Sequence, residues 1–121
     1  MKIYIAGPMR GVFGFNALGF QYWQRRIEQE FQYEVVNPAD LDRSLGFMPN
    51  VDGQLHEGDP DYEDIMERDI EALSKCDAIF MMRDWSTSEG ATRELIYATR
   101  WSKTIYYSLP HSLQVQRPHS T

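Results

Sequence analysis

The chain of 121 residues is the size of one domain, and its 42% hydrophobic and 13% aromatic residues are enough for a packed core. Its 12 basic and 18 acidic residues give a net charge of −6, which argues against nucleic acid as a partner. A single cysteine, Cys76, excludes an intramolecular disulfide framework, and no apolar run reaches the roughly 18 residues of a membrane span. We therefore expect a cytoplasmic protein with no membrane partner.

The predicted elements alternate between strands and helices. Short apolar runs predict strands at 2–6, 34–36, 78–82 and 104–107, and a helical period predicts helices near 16–31, 61–75 and 89–101. Glycine and proline interrupt residues 39–60, so we expect a mobile loop there with at most one short helical turn. Asn16 is expected to cap the first helix, and Asn37-Pro38 to end the second strand.

This order predicts an α/β fold with a small doubly wound parallel sheet of flavodoxin or Rossmann type. Right-handed crossovers between four or five strands favour the order 2-1-3-4 with helices on both faces. One domain is expected over residues 1–109, followed by a tail, 110–121, that is flexible or contacts a neighbouring subunit. A ligand crevice is expected where the connections from strands one and three diverge, at the loops after Ala6 and Met82.

The turn after the first strand has an arginine, Arg10, between Gly7 and Gly11. The backbone at these glycines could approach an anion, although an ordinary glycine-rich turn explains the same residues. The turn lacks both the dinucleotide-binding glycine pattern and the phosphate-loop lysine pattern. The sequence therefore argues against NAD-binding and P-loop chemistry.

Asp69 is a carboxylate on the apolar face of the second predicted helix. Its neighbours three and four residues away are Ile65, Met66, Ala72 and Leu73. Burial of an unpaired charge costs roughly several kcal/mol of folding free energy. Asp69 therefore needs a partner, a raised pKa or an opening onto a cavity. Backbone capping, or a pair with Arg10 or with Arg83, would satisfy it without any catalytic role.

The turn before the last predicted helix contains Ser88 and Gly90, and a helix N-terminus favours phosphate or carboxylate. A purely structural interpretation is also available, in which Ser86 and Glu89 form a capping box and Glu89 pairs with Arg93 at i,i+4. Glu94 is harder to explain structurally. Its neighbours on the helix face are small or uncharged, which leaves room for a ligand.

The remaining polar candidates are weaker. The three histidines and Cys76 show no metal-ligand spacing, so we expect no metal and no cofactor. Phe13, Phe15 and Tyr4 lie near the first turn and could stack on a base, although core packing explains most aromatic residues. The acidic stretch 52–64 is interpreted as a solvated loop, with a substrate lid as the alternative.

From Lys2 to about Tyr107 the chain resembles the nucleoside 2-deoxyribosyltransferase superfamily, and within it the 2′-deoxynucleoside 5′-monophosphate N-glycosidases. Small phage and bacterial proteins of unassigned function look similar. Three segments carry the resemblance, and their order makes it specific. They are residues 3–11 (Ile-Tyr-Ile-Ala-Gly-Pro-Met-Arg-Gly), the pair 68–69 with 76–78, and residues 90–94 (Gly-Ala-Thr-Arg-Glu) with Ala98 and Lys103.

The resemblance implies that Glu94 attacks the sugar C1′ as a nucleophile. Asp69 matches a second acid that assists departure of the base or orients the reacting groups. Ser88 stands six residues before Glu94, where transferases of free nucleosides carry aspartate and monophosphate hydrolases carry serine. Ser88, Gly90 and Arg10 are therefore expected to bind a phosphate. The implied small-molecule substrate is a nucleotide, or a free nucleoside in the alternative.

The resemblance also implies a homodimer, in which Ser108 or another C-terminal residue could complete a neighbour's site, and it places Tyr4 near the sugar. Pro8 departs from the pattern, because the hydrolases tend to have serine there. The base is left open. Three alternatives to the hydrolase stay open as well: a base-exchange deoxyribosyltransferase on free nucleosides, a non-catalytic nucleotide-binding module and, more distantly, an NAD-cleaving glycohydrolase.

Overall fold

The structure, a computed structural model, describes residues 1–44 and 50–108. Its sheet contains the strands β1 (Lys2–Ala6), β2 (Glu34–Val36), β3 (Ala78–Met81) and β4 (Thr104–Tyr106). All three strand pairs are parallel and the order is β2-β1-β3-β4, which confirms the predicted sheet. The predicted tail, 110–121, lies outside the described residues.

Within the described residues, four α-helices cover the two faces of this sheet: α1 (Ala17–Phe31), α2 (Pro38–Ser44), α3 (Tyr62–Ser74) and α4 (Glu89–Arg100). Alternate residues of a strand point to opposite faces, so the sheet supports two cores. The core beneath α1 and α2 contains Ile3, Ile5, Phe20, Ile27, Ala39, Ala78, Phe80 and Met82. The core beneath α3 and α4 contains Tyr4, Ala6, Leu73, Cys76, Ile79, Met81, Ala91 and Ala98.

Helix α2 occupies a segment that was predicted as a mobile loop with at most one turn. The same two residues that end β2 also begin this helix. The Asn37 side-chain oxygen accepts a hydrogen bond from the Ala39 N–H at 2.8 Å, and Pro38 takes the first helical position, where no N–H is needed. The prediction allowed one short helical turn in this segment; the helix is longer, with 7 residues, because Asn37-Pro38 starts a helix as well as ending a strand.

Asn16 precedes α1 as predicted, but its side chain does not cap the helix. Its backbone is left-handed, with φ 62°, and its side-chain amide donates to the Pro8 carbonyl at 2.9 Å. The residue therefore ties the start of α1 to the turn after β1. Among the described helices the longest is α1, with 15 residues and a polar face, and none is long and apolar enough to cross a membrane.

The described part of the loop before α3 is hydrogen-bonded to the turn after β1. The Gly11 N–H donates to the Gly53 carbonyl at 2.7 Å, and the Gly14 N–H donates to the Val51 carbonyl at 3.2 Å. Gly53 has φ +72°, and a Cβ atom there would lie 2.2 Å from the Val12 carbonyl oxygen. Only glycine fits this contact, which holds the two loops side by side at one end of the sheet.

We expect Gly53→Ala to destabilise the protein more than Gly58→Ala, measured as the free energy of unfolding in urea. Gly58 also has a positive φ, +93°, but a Cβ atom there would meet nothing within 4 Å. The Gly58 change should therefore cost only the backbone strain, about 1–2 kcal/mol. The Gly53 change adds the clash with Val12. Equal losses in the two variants would contradict the close contact between the loops.

Candidate active site

A cavity of about 230 Å³ opens at the carboxyl ends of β1 and β3. Both loops predicted to form the crevice line it, together with α2, α3, the first turns of α4 and Leu55 of the loop before α3. Its volume lies below the roughly 300–1,000 Å³ of pockets for drug-sized ligands, so it suits a compact ligand. Three buried acids, Asp42, Asp69 and Glu94, share this cavity.

Glu94 projects from α4 towards the sheet and is 5% exposed. Small residues one turn to either side, Ala91 and Ala98, are buried in the core beneath α4 and let the helix lie close to β1. The Tyr4 hydroxyl of β1 donates a hydrogen bond of 2.5 Å to Glu94 Oε2. Among the described residues Oε1 has no hydrogen-bond partner, and Glu94 lines the cavity.

The pKa of Glu94 is raised well above its usual value. Burial is the largest cause and the nearby charge of Asp69 adds to it, whereas the Tyr4 hydrogen bond lowers the pKa. Burial likewise raises the pKa of the Tyr4 hydroxyl, so Tyr4 is a donor and not a competing anion. The carboxylate form of Glu94 therefore depends on Tyr4 for stabilisation.

Asp69 lies on α3 and is 3% exposed. Its Oδ1 accepts hydrogen bonds from Arg68 Nε at 3.1 Å and from Arg68 Nη2 at 2.7 Å. Oδ2 has no partner among the described residues. Burial raises the pKa of Asp69 to about 7, although the positive charge of Arg68 acts in the opposite direction.

The pairing of Asp69 with Arg10 or Arg83 was one predicted alternative, and it is wrong. Arg83 is exposed, and the Arg10 guanidinium lies 3.9 Å from the centre of the Tyr62 ring and 3.8 Å from Glu89. The partner is Arg68, the preceding residue on α3, although adjacent helix side chains normally point in different directions.

Asp42 of α2 is the acid that sequence reasoning missed. It is 2% exposed, and its Oδ1 accepts a hydrogen bond of 2.5 Å from Arg68 Nη2. The available signal was its position just after the carboxyl end of β2, at the edge of the sheet where ligands bind. That signal was lost because residues 39–60 were interpreted as a loop, which gave Asp42 no defined direction.

Ser88, rather than Ser86, caps α4. Its Oγ accepts a hydrogen bond of 3.1 Å from the Ala91 N–H, so the predicted capping box of Ser86 and Glu89 is wrong. The predicted Glu89–Arg93 pair is also not formed, because Arg93 binds Glu63 through two hydrogen bonds. The reason is that the short helical turn Trp85–Thr87 carries the chain one step further before α4 begins.

Two glycines allow close packing around the cavity. A Cβ atom at Gly7 would lie 2.6 Å from Met82 Sδ, and one at Gly90 would lie 3.1 Å from the Tyr62 hydroxyl. The N–H groups of Glu89 and Gly90 belong to the first turn of α4, where a helix has no acceptor for them. An anion in the cavity could accept from this turn and from the Ser88 hydroxyl, with Arg10 at the rim.

The predicted site residues are not all brought together. Six of the predicted residues line the cavity: Gly7, Arg10, Asp69, Ser88, Gly90 and Glu94. Tyr4 lies behind Glu94, in the core, and so contacts the site through that residue. Gly11 is outside the lining, and its N–H is occupied by Gly53. Ser108 is exposed, follows β4 and is also outside the lining, so its role in a neighbouring subunit stays a prediction.

The aromatic residues near the first turn differ in exposure. Phe15 is buried and lines the cavity, whereas Phe13 is 68% exposed. Within residues 1–44 and 50–108, no group of three histidine, cysteine, aspartate or glutamate side chains is placed to hold a metal ion. His111 and His119 lie outside the described residues.

A family model described as domain of unknown function DUF4406 matches residues 1–107. The chain belongs to the DUF4406 family. The match spans every strand and helix of the described DUF4406 domain and all the cavity residues from Gly7 to Glu94. No curated protein matches this DUF4406 chain.

We expect the free energy of unfolding of the DUF4406 domain to fall as the pH rises from about 5 to 7, and Asp69→Asn to reduce that fall. The pKa of Asp69 is raised from 3.8 to about 7, so over this interval the folded state holds a proton that the unfolded state has lost. The Asp69 contribution is about 2–3 kcal/mol. Urea unfolding across the pH range measures it.

The control for that measurement is Glu67→Gln, an exposed carboxyl on the same helix. It should leave the pH dependence of unfolding unchanged. Identical slopes for wild type and Asp69→Asn would show that Asp69 is already ionised in the folded protein at pH 5.

Proposed function

We propose that the protein hydrolyses the N-glycosidic bond of a ribonucleoside or 2′-deoxynucleoside 5′-monophosphate and releases the free base and the sugar 5-phosphate. One observation carries the proposal: Glu94 and Asp69 are buried and line one cavity, and each has one hydrogen-bonded oxygen and one oxygen with no partner among the described residues. A pair of carboxyl groups with different environments is the arrangement that glycosidic bond cleavage requires.

In the first step, Glu94 Oε1 attacks C1′ and forms a covalent ester. The bond from C1′ to the base nitrogen breaks, and the base takes a proton from Asp69 as it leaves. In the second step, water attacks C1′ and gives a proton to the Asp69 carboxylate. The ester bond then breaks, which returns Glu94 as a carboxylate, and the sugar 5-phosphate leaves.

This sequence requires Glu94 ionised and Asp69 protonated, whereas burial raises the pKa of both acids. Tyr4 donates to Glu94 and so stabilises its anion. A proton on Asp69 removes the negative charge that otherwise opposes ionisation of Glu94. Because the two carboxyl groups interact, the two apparent pKa values describe the pair and not either residue alone. The active form is the state in which the pair holds one proton, on Asp69.

The start of α4 supports a phosphate as the third part of the substrate. Ser88 Oγ accepts from Ala91, which leaves the hydroxyl proton available for a phosphate oxygen. The first-turn N–H groups point along the same helix axis, and its dipole favours an anion. Arg10 adds a positive charge from the opposite loop, 46% exposed at the cavity rim. A free nucleoside would leave these donors without an anionic acceptor.

The direct test is to incubate the protein with deoxynucleoside and ribonucleoside 5′-monophosphates beside the free nucleosides, and to separate liberated bases by chromatography. We expect release from one or more deoxy-monophosphates and at least a 1,000-fold loss in Glu94→Gln, roughly the loss typical when a nucleophile is removed. The control Glu67→Gln, an exposed change of the same kind, should keep full activity.

The other outcomes identify the alternatives. Release from free nucleosides that is faster with an added acceptor base would identify a deoxyribosyltransferase. Cleavage of NAD alone would identify an NAD glycohydrolase. Nucleotide-dependent thermal stabilisation without any product would identify a binding module, since a ligand stabilises the folded state by mass action.

Tyr4→Phe should lower kcat/KM by roughly 10- to 100-fold and move the pH optimum to higher pH. The variant loses a hydrogen bond to a charged group, about 1.5–3 kcal/mol, and the pKa of Glu94 rises further, so ionisation needs higher pH. The pH profile of base release measures both effects. An unchanged optimum with lower activity would mean that Tyr4 only supports packing.

A further inference from the structure

The contact between Arg68 and Asp69 is unusual because the two residues are adjacent on α3. Neighbouring side chains on a helix point about 100° apart and do not face each other. Arg68 nevertheless places Nε and Nη2 on the same oxygen of Asp69, at 3.1 Å and 2.7 Å. The guanidinium therefore folds back across the helix surface towards the cavity.

Asp42 accounts for this direction. It lies on α2 and accepts from Arg68 Nη2 at 2.5 Å, the same nitrogen that donates to Asp69. Asp42 and Asp69 are both nearly fully buried, at 2% and 3% exposure. Arg68 Nη2 thus bridges two buried carboxyl groups from two helices, and its position is set by both.

The bridge makes the two oxygens of Asp69 different. Both contacts from Arg68 fall on Oδ1, and Oδ2 has no partner among the described residues. A proton on Oδ1 would face two donors, so the proton belongs on Oδ2. Since Asp69 lines the cavity, Arg68 determines which oxygen can give a proton to a ligand there.

Among the side chains that the structure describes, four charged or titratable groups lie near Asp69: Asp42 on α2, Arg68 on α3, Glu94 on α4 and Tyr4 on β1. Arg68 is the cation in this set, and its single charge is shared with Asp42. Without the Asp42 charge, the positive charge of Arg68 would stabilise the Asp69 carboxylate alone. Removal of the Arg68 charge would leave Asp69 with acids and a phenol.

We propose that Arg68 and Asp42 are positioning residues for Asp69: Arg68 occupies Oδ1 so that Oδ2 carries the proton for the leaving base, and Asp42 holds Arg68 and limits how strongly its charge ionises Asp69. The catalytic part of this inference rests on the proposed function. The position of the proton on Asp69 is a property of the protein without substrate. Proton position and catalysis can therefore be tested separately.

The test on the protein is an NMR titration of aspartate carboxyl carbons in the full chain, with the Asp69 signal assigned by its loss in Asp69→Asn. Asp42→Asn should lower the midpoint of Asp69 by about one pH unit or more, and Arg68→Gln should raise it by a similar amount. Arg68→Lys keeps the charge, so its midpoint should lie between those of wild type and Arg68→Gln. Glu30→Gln, which removes an acid from Arg26 on the surface of α1, should leave it unchanged.

The test on the reaction is the pH optimum of kcat/KM for base release from the substrate found in the panel. The optimum lies midway between the two pKa values of the acid pair. It should therefore move to lower pH in Asp42→Asn and to higher pH in Arg68→Gln. A merely structural role would lower activity, or stability, in both variants and leave the optimum in place.

The outcomes separate the inference from the function. Midpoints that stay fixed, or that move in the same direction in both variants, would overturn the inference whatever the activity. Midpoints that move in opposite directions, with no base released by wild type from any compound in the panel, would overturn the proposed function and retain the control of Asp69 by Arg68 and Asp42. Opposite shifts in both midpoints and optima support both.

Discussion

Three buried carboxyl groups, Asp42, Asp69 and Glu94, lie around one cavity, and the arrangement of the site depends on how their charges are accommodated. Burial of a charge is costly unless it is paired, hydrogen-bonded or neutralised by a proton. The structure uses all three solutions. Arg68 pairs with Asp42 and Asp69, Tyr4 donates to Glu94, and burial raises the pKa of both Asp69 and Glu94. The result is two acids that line one small cavity, each with one oxygen that has no hydrogen-bond partner among the described residues.

Such a site opposes folding stability, and the surrounding structure offsets that effect. The raised pKa values of Asp69 and Glu94 favour a protonated folded state, so ionisation of these two acids near neutral pH works against the fold. The parallel sheet and its two cores stabilise the elements that carry them: β1 holds Tyr4, α3 holds Asp69 and α4 holds Glu94. The contact at Gly53 holds the loop before α3 against the turn after β1, at the same end of the sheet. Destabilised groups held by a rigid scaffold are typical of functional sites.

Much of the fold was predictable because its signals are local. The four strands are short apolar runs, and the order β2-β1-β3-β4 follows from right-handed crossovers between parallel strands. Asp69 and Glu94 were found because each interrupts a helix face in a way that local neighbours cannot explain. Helix α2 was predicted as no more than one short turn because Asn37-Pro38, which ends a strand, can also start a helix. For the same reason the sequence did not predict that Asp42 lies in the site.

The sequence by itself determined the α/β architecture, the edge of the sheet where the cavity opens and the two acids that line it, because periodicity and chain order encode these features. Only the tertiary structure decided the partners of those acids. Tyr4 and Glu94 are 90 residues apart, and Asp42 and Arg68 are 26 apart. Contacts at such separations depend on how α2, α3 and α4 pack on the sheet. The physical reason is that a hydrogen bond forms between atoms about 3 Å apart, a distance that no local pattern specifies.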